Sequence, residues 1–212
     1  MVAPSPSSEV SICNLALYHC GQPPIQSIDN PETDIERTLR DIYPAVRDTV
    51  LREHPWNFAQ ALYTSLKSGD GIGKWENAYD LPSDFIRLNS VGEDFQRPNR
   101  NYFMGDNKIY ANAGNSLTIW YNKRVTDVRI MDVGFKTYLA LRVALEVAPA
   151  VTKKNSVWER INKALTLQEP KTFGTDGQER PPTRVQRSKY LAARRGRGSY
   201  RTNTYADLDS YD

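Results

Sequence analysis

The 212-residue chain has only two cysteines and two histidines, and no apolar run in it approaches the length needed to cross a bilayer. Each shortage removes a class of function. Cys13 and Cys20 stand seven residues apart, which on one helix is roughly 10 Å of rise, too far for a disulfide, so they read as small core residues. Adding His19 to the pair still leaves too few ligands for a structural metal site, and no metal or cofactor is expected. His54 immediately precedes a proline and reads as a helix end rather than a base. Neither histidine has a nucleophile nearby, and Asp80 and Asp84, which bracket a Leu-Pro-Ser turn, read as turn formers, so no enzymatic activity is expected. The stretch Lys67-Ser68-Gly69-Asp70-Gly71-Ile72-Gly73-Lys74 lacks the spacing of a phosphate-binding loop and has no Ser or Thr after its last lysine. A hairpin tip fits it better. The opening Met-Val-Ala-Pro-Ser-Pro has no basic region followed by an apolar stretch, so neither a secretory signal nor a membrane partner is expected.

What the chain does contain is strong helical punctuation. Val10, Cys13, Leu17 and Cys20 form one stripe, with Ser7 or Ser8 as N-cap and Gly21 at the stop, predicting a helix over about 8–20. Asn30 as N-cap, Pro31 at the first helical position and the spacing of Ile35, Leu39, Ile42, Val46 and Val50 predict a second over 31–54, kinked near Pro44. Its opposite face carries Asp34, Glu36, Arg37, Arg40, Asp41, Arg47, Asp48, Arg52 and Glu53, a mixture of signs that suits solvent or another chain. Asp132 and the spacing of Phe135, Leu139, Val143 and Val147 predict a third helix over 132–148, apolar nearly all round and so packed on more than one side. Pro149 should end or bend it. Ser156-Val157-Trp158-Glu159 has the form of a capping box and predicts a fourth helix over 156–168.

Between the helix pairs, from about 56 to 125, the chain turns aromatic and alternating, as in Phe85–Val91 and Leu117–Tyr121. Gly105-Asp106-Asn107 and Ala113-Gly114-Asn115 read there as hairpin turns. The fold class expected is therefore α+β: a helical bundle of about four helices with an inserted small antiparallel sheet, residues 1–169, followed by an extended C-terminal arm, residues 170–212. Beyond Pro170 no periodicity is sustained, so the arm should lack fixed structure in isolation.

The order of several strings resembles the tail tubular protein A family of short-tailed bacteriophages. They are Asn14-Leu15-Ala16-Leu17 with Gly21-Gln22-Pro23-Pro24-Ile25, then Tyr43-Pro44-Ala45-Val46-Arg47-Asp48-Thr49-Val50-Leu51-Arg52-Glu53-His54-Pro55-Trp56-Asn57-Phe58. Tyr79-Asp80-Leu81-Pro82-Ser83-Asp84-Phe85-Ile86-Arg87 and Asn107-Lys108-Ile109-Tyr110-Ala111-Asn112 follow, and the likeness fades after about Val147. The resemblance implies a head-to-tail adaptor in the virion tail, assembled in the host cytoplasm. It would be a ring of twelve copies between the portal protein and the tail nozzle, tail tubular protein B, with genomic DNA passing through the channel.

Under that implication the arm is the portal-binding element. Arg180, Arg184, Arg187, Lys189, Arg194, Arg195, Arg197 and Arg201 carry eight positive charges before Asp207, Asp209 and Asp212 reverse the sign. The arm from Arg180 thus stands at +5 and the whole chain at +3, leaving about −2 for the rest, so the basicity is local. The portal candidates are Arg184, Arg187, Lys189, Tyr190, Arg194, Arg195 and Arg197. Arg37, Arg40, Arg47 and Asp48 are candidates for contacts between ring neighbours, and Gly69, Asp70, Gly71, Lys74, Asn99, Arg100 and Tyr102 for the nozzle. A nucleic-acid-binding protein is the alternative, since Tyr190, Tyr200 and Tyr205 among the arginines could stack on bases while the charges neutralise phosphates.

Overall fold

In the computed structural model, residues 8–92, 101–152 and 154–179 are described. Helix α1 (Glu9–Cys20) begins at Ser8, whose hydroxyl and that of Ser11 close a reciprocal cap, and stops at Gly21, in the left-handed region with φ 70°. Helix α2 (Asp34–Glu53) starts three residues later than Asn30 would place it. Its N-cap is Thr33, and the buried Glu36 reaches back to accept from the backbone N–H groups of Glu32 (2.7 Å) and Thr33 (2.9 Å). Glu36 therefore belongs to the cap and not to the exposed face. The helix continues through Pro44.

The sheet follows: β1 (Gln60–Asp70), β2 (Asn77–Asp80), β3 (Phe85–Val91), β4 (Tyr102–Gly105), β5 (Lys108–Ala111) and β6 (Ser116–Lys123). All pairings are antiparallel, in the order β3-β6-β1-β2-β5-β4. Strand β1 is shared lengthwise: Gln60–Leu66 pairs with β6, and Lys67–Asp70 pairs with β2 past a bulge. Gly69 and Asp70 are thus strand residues and not part of the tip. Glycine survives in the strand because the bulge lies there, between Lys67 and Gly69. The expected turn at Gly105-Asp106-Asn107 is present. Asp106 (φ 51°) and Asn107 (φ 57°) supply the two left-handed positions that a two-residue hairpin needs. Ala113-Gly114-Asn115 is no hairpin turn, because β5 and β6 are not neighbours. It crosses over instead, held where Lys67 N–H donates to Asn115 O (2.9 Å) and the Tyr79 hydroxyl donates to the Ala113 and Gly114 carbonyls.

Helix α3 (Val133–Val151) is capped by Asp132, whose carboxylate accepts from Gly134 and Phe135, and extends two residues past Pro149. It is the central helix, packed by α1, α2 and α4 alike, as its nearly uniform apolarity requires. Helix α4 (Asn155–Gln178) departs from expectation at both ends. It starts one residue before Ser156, with Lys154 at the cap and no side-chain hydrogen bond there, so the Ser156–Glu159 capping box does not form. At the other end it runs through Pro170 instead of stopping near Gln168, because Thr172 and Asp176 are buried and Phe173 packs on the helical core. The boundary expected at Pro170 therefore falls inside a helix.

Two apolar clusters result among the described residues. The larger joins the four helices with Trp56, Ala59 and Ile86, and the smaller lines the inside of the sheet through Tyr79, Val91, Ile109, Leu117, Ile119 and Tyr121. Among the described residues no helix is long and apolar enough to cross a membrane.

Candidate functional site

The exit of α2 joins the two clusters. A helix leaves its last four carbonyls without intrahelical partners, and Pro55 has no N–H to offer. Here side chains from elsewhere fill the gap. Trp56 Nε1 donates to Val50 O (2.8 Å), Asn122 Nδ2 to Leu51 O and His54 O (2.7 Å each), and Arg87 Nη1 to Arg52 O (3.1 Å) and Glu53 O (2.8 Å). Gln60 Nε2 takes the Pro55 carbonyl at 2.9 Å, and Arg52 returns a bond to Ile86 O at 2.8 Å. Asn122, fully buried on β6, also accepts from Asn89 Nδ2 at 2.7 Å. Glu53 at the helix end receives Tyr138 OH (2.9 Å) and Arg142 (3.0 Å) from α3. Burial and the Glu53 carboxylate together push the Tyr138 phenol well above its usual range.

The end of α4 closes on the same joint. His54 Nε2 lies 2.9 Å from Asp176 Oδ2, Asn57 N–H donates to Asp176 Oδ1 (2.9 Å), and Asn57 Nδ2 donates to the Asp176 carbonyl (2.6 Å). Phe173 stacks on the His54 ring at 4.8 Å and 9° and meets Trp56 edge-on at 5.3 Å. His54 does mark a helix end, as its place before proline predicts, but its partner was not legible because Asp176 lies in a stretch read as unstructured. Trp56 is core, and Phe58 packs partly buried against it.

The residues expected between ring neighbours separate into two groups. Arg37 and Arg40 are exposed on α2, paired with Asp34 (2.5 Å) and Asp41 (3.2 Å). Arg47 is 6% exposed and corrects the expectation of an outward charge. Its guanidinium is held by Asp48 (3.0 Å) and Glu9 of α1 (3.5 Å), while Asp48 also takes Arg124 at 2.8 Å. Arg47 and Asp48 thus bind the helical core to itself and to the end of β6. Beside the exposed stripe, Ile42, Ala45, Val46, Thr49, Arg142 and Glu146 line an open groove of about 300 Å³ between α2 and α3.

For the nozzle candidates, the strand register brings distant residues to one end of the sheet. Asp70 pairs with Asn77, Asn77 with Ala111, and Ala111 with Tyr102, so the β1–β2 tip and the start of β4 lie in one row. The tip is stitched by Gly71 N–H to Glu76 O (3.0 Å), and Asn112 bridges Glu76 N–H (2.8 Å) and Lys74 O (3.2 Å). A Cβ on Gly71 would overlap the Trp75 carbonyl, so the turn requires glycine. Lys74 lies over the Trp75 ring at 4.6 Å, and Ile72, Phe103 and Met104 are among the exposed large apolar side chains. Asn99 and Arg100, and the portal candidates Arg184, Arg187, Lys189, Tyr190, Arg194, Arg195 and Arg197, lie outside the described residues.

The groups weighed for chemistry are engaged separately. Asp80 binds Lys108 at 3.0 Å, and that bond, with the Ser68 hydroxyl, lowers its pKa. Asp84 accepts from Tyr121 OH at 3.0 Å, and burial together with that carboxylate raises the phenol to about 12. Burial also raises the Cys13 thiol to about 12 and, with Arg160 beside it, lowers His19. Among the described residues no three His, Cys, Asp or Glu side chains gather where a metal ion could be held. No protein-family model matches the chain, and no curated protein does.

Proposed function

We propose that this protein is a structural head-to-tail adaptor of a short-tailed phage: a ring subunit between portal and nozzle, acting in the virion by assembly rather than catalysis. The observation that carries the reading is where the resembling strings fall. His54-Pro55-Trp56-Asn57-Phe58 is the α2 exit itself. In the Tyr79–Arg87 string, Asp84 ties the β2–β3 turn to Tyr121 of β6, and Arg87 ties β3 to the end of α2. Asn14 of the first string holds the Ile25 backbone through both its amide atoms (2.8 and 3.1 Å), and Gln22 donates to Val151 O at 3.2 Å. These string residues hold joints between elements, as a shared fold demands, while the Asn107–Asn112 string forms the β4–β5 turn and strand β5.

In this reading twelve copies sit beneath the portal, the α2 stripe with Arg37 and Arg40 faces a neighbour, and the sheet end with Gly71, Lys74 and Tyr102 faces the nozzle. The basic arm beyond Glu179 enters the portal. Ordering an arm whose sequence predicts no fixed structure costs entropy that only a matched partner offsets, which keeps the subunit unassembled until portal is present. A mass measurement of the full chain alone and with portal protein tests this. The expected result is a monomer alone and a ring complex on mixing, with the complex lost when residues 180–212 are deleted from a body that stays folded. Tight DNA binding that falls steeply with salt and ignores portal would favour the nucleic-acid-binding reading, for which the cluster of arginines and tyrosines speaks.

A further inference from the structure

Residues 171–178 are helical against their own composition. Pro170 has no N–H for the Thr166 carbonyl, and Gly174 and Gly177 weaken the turns that follow. A Cβ at either glycine meets nothing within 4 Å, so packing does not require glycine at these positions. What holds the segment is lateral: Asp176 on His54 and Asn57, and Phe173 against His54, Trp56 and Tyr138. The first half of α4 is secured differently, through buried Ile161 and Leu165 and an Arg160 bond to His19 O at 2.8 Å.

We propose that residues 171–178 form a strap that opens and closes on the α2 exit as a unit separate from residues 155–169, with Asp176 as its clasp. Closed, the strap covers the His54 ring and the edge of Trp56 and satisfies the Asn57 N–H. Open, it uncovers that aromatic and donor surface while α1, α2 and α3 stay packed, since none of their mutual contacts involves it. Eight residues passing from helical to extended rise lengthen the tether of the chain beyond Glu179 by roughly 15 Å. Segments that depend on tertiary contacts against local preference come from the low-stability end of a structure and open without global unfolding. The strap does not depend on which partner the chain meets.

Hydrogen exchange on the full-length protein tests this. Amides of 171–178 are expected to exchange at least tenfold faster than those of 157–168 after correction for intrinsic rates, as one cooperative group. Replacing both glycines (Gly174→Ala with Gly177→Ala) should slow exchange in 171–178 by about 25-fold and leave α3 unchanged, because two alanines add helix propensity to the closed segment without touching its lateral contacts. Asp176→Ala should speed the same amides at least tenfold, again without touching α3. Should Asp176→Ala fail to fold, the glycine variant, which only adds helix propensity, still decides the matter. The proposal is overturned if 171–178 exchange together with 157–168 in the unmodified chain, or if the two alanines leave their rates unchanged.

Discussion

Among the described residues, three of the twelve largest fully buried side chains, Tyr79, Ile109 and Ile119, lie in the sheet and the other nine in the helical core. The helical core closes on itself, with α3 surrounded on several sides. The sheet keeps one face against its own curl and leaves Leu62 and Leu66, on the other side of β1, 53% and 72% exposed. The sheet therefore draws much of its fixed position from the α2 exit, where polar side chains of β3 and β6 complete a helix that cannot complete itself. The larger core thus supplies stability and the joint supplies orientation, and the two can be perturbed separately.

Trp56 belongs to the core by its ring and to the joint by its Nε1 bond to Val50, so its loss should have the largest effect. Trp56→Ala should cost about 3–5 kcal/mol, because it removes a ring packed on Phe135 (4.9 Å) and Phe173 and frees a helix-end carbonyl. Urea unfolding followed by far-UV circular dichroism measures it, and a loss below about 1 kcal/mol would mean that the core is not centred there. Asn122 isolates the joint more cleanly, since it adds almost nothing apolar to the core. Asn122→Ala strands the Leu51 carbonyl and the Asn89 amide, and a loss of about 3 kcal/mol is expected. Melting followed by helical ellipticity and by aromatic signals of the sheet should then separate, while in the unmodified chain the two should coincide. Coincident melts in the variant would show that other contacts couple the halves.

How far these features could be read from residues alone follows from the range of the interactions. Ser8, Gly21, Asp132 and the Asp106-Asn107 turn act on backbone within a few positions, and each was legible. Thr33 and Glu36 also form a local box, but Pro31 drew the start three residues too early. Arg47 read as exposed because charge normally is, and only the fold brings Glu9 to it. The same holds for α4 beyond Pro170: local propensity argues for a stop, and Phe173 and Asp176 override it through partners more than a hundred residues away in sequence. Gly69 does not by itself distinguish a bulged strand from a turn, because both use glycine for similar reasons. Strand order leaves no local trace, so Ala113-Gly114-Asn115 has the residues of a hairpin turn but makes a crossover. Of the candidate sites, the row from Asp70 to Tyr102 was named in sequence as two unconnected loops, and register alone joins them.

The chain crosses between sheet and helical core a second time after β6, and that crossing contrasts with Asn122 in being exposed. Asp127 caps a short 3₁₀ turn whose Val128 is buried, and its carboxylate takes Arg129 through Nε (3.0 Å), Nη2 (2.8 Å) and the backbone N–H (2.9 Å). These bonds hold the Asp127 carboxyl at about 2 against 3.8 for an ordinary aspartate. A carboxylate depressed in the folded state stabilises fully above the unfolded value, and the contribution fades as pH falls from about 3.8 through about 2. Solvent screens the pair, so this is the smallest effect of the three. Carboxyl chemical shifts followed from pH 6 to pH 1.5 should show Asp127 titrating near 2, and Arg129→Gln should return it towards 3.8 with little change in stability near neutral pH. If Asp127 already titrates near 3.8 in the unmodified chain, this crossing is not fixed by the pair, and the orientation of the sheet rests on the α2 exit and on the Asp48–Arg124 bond.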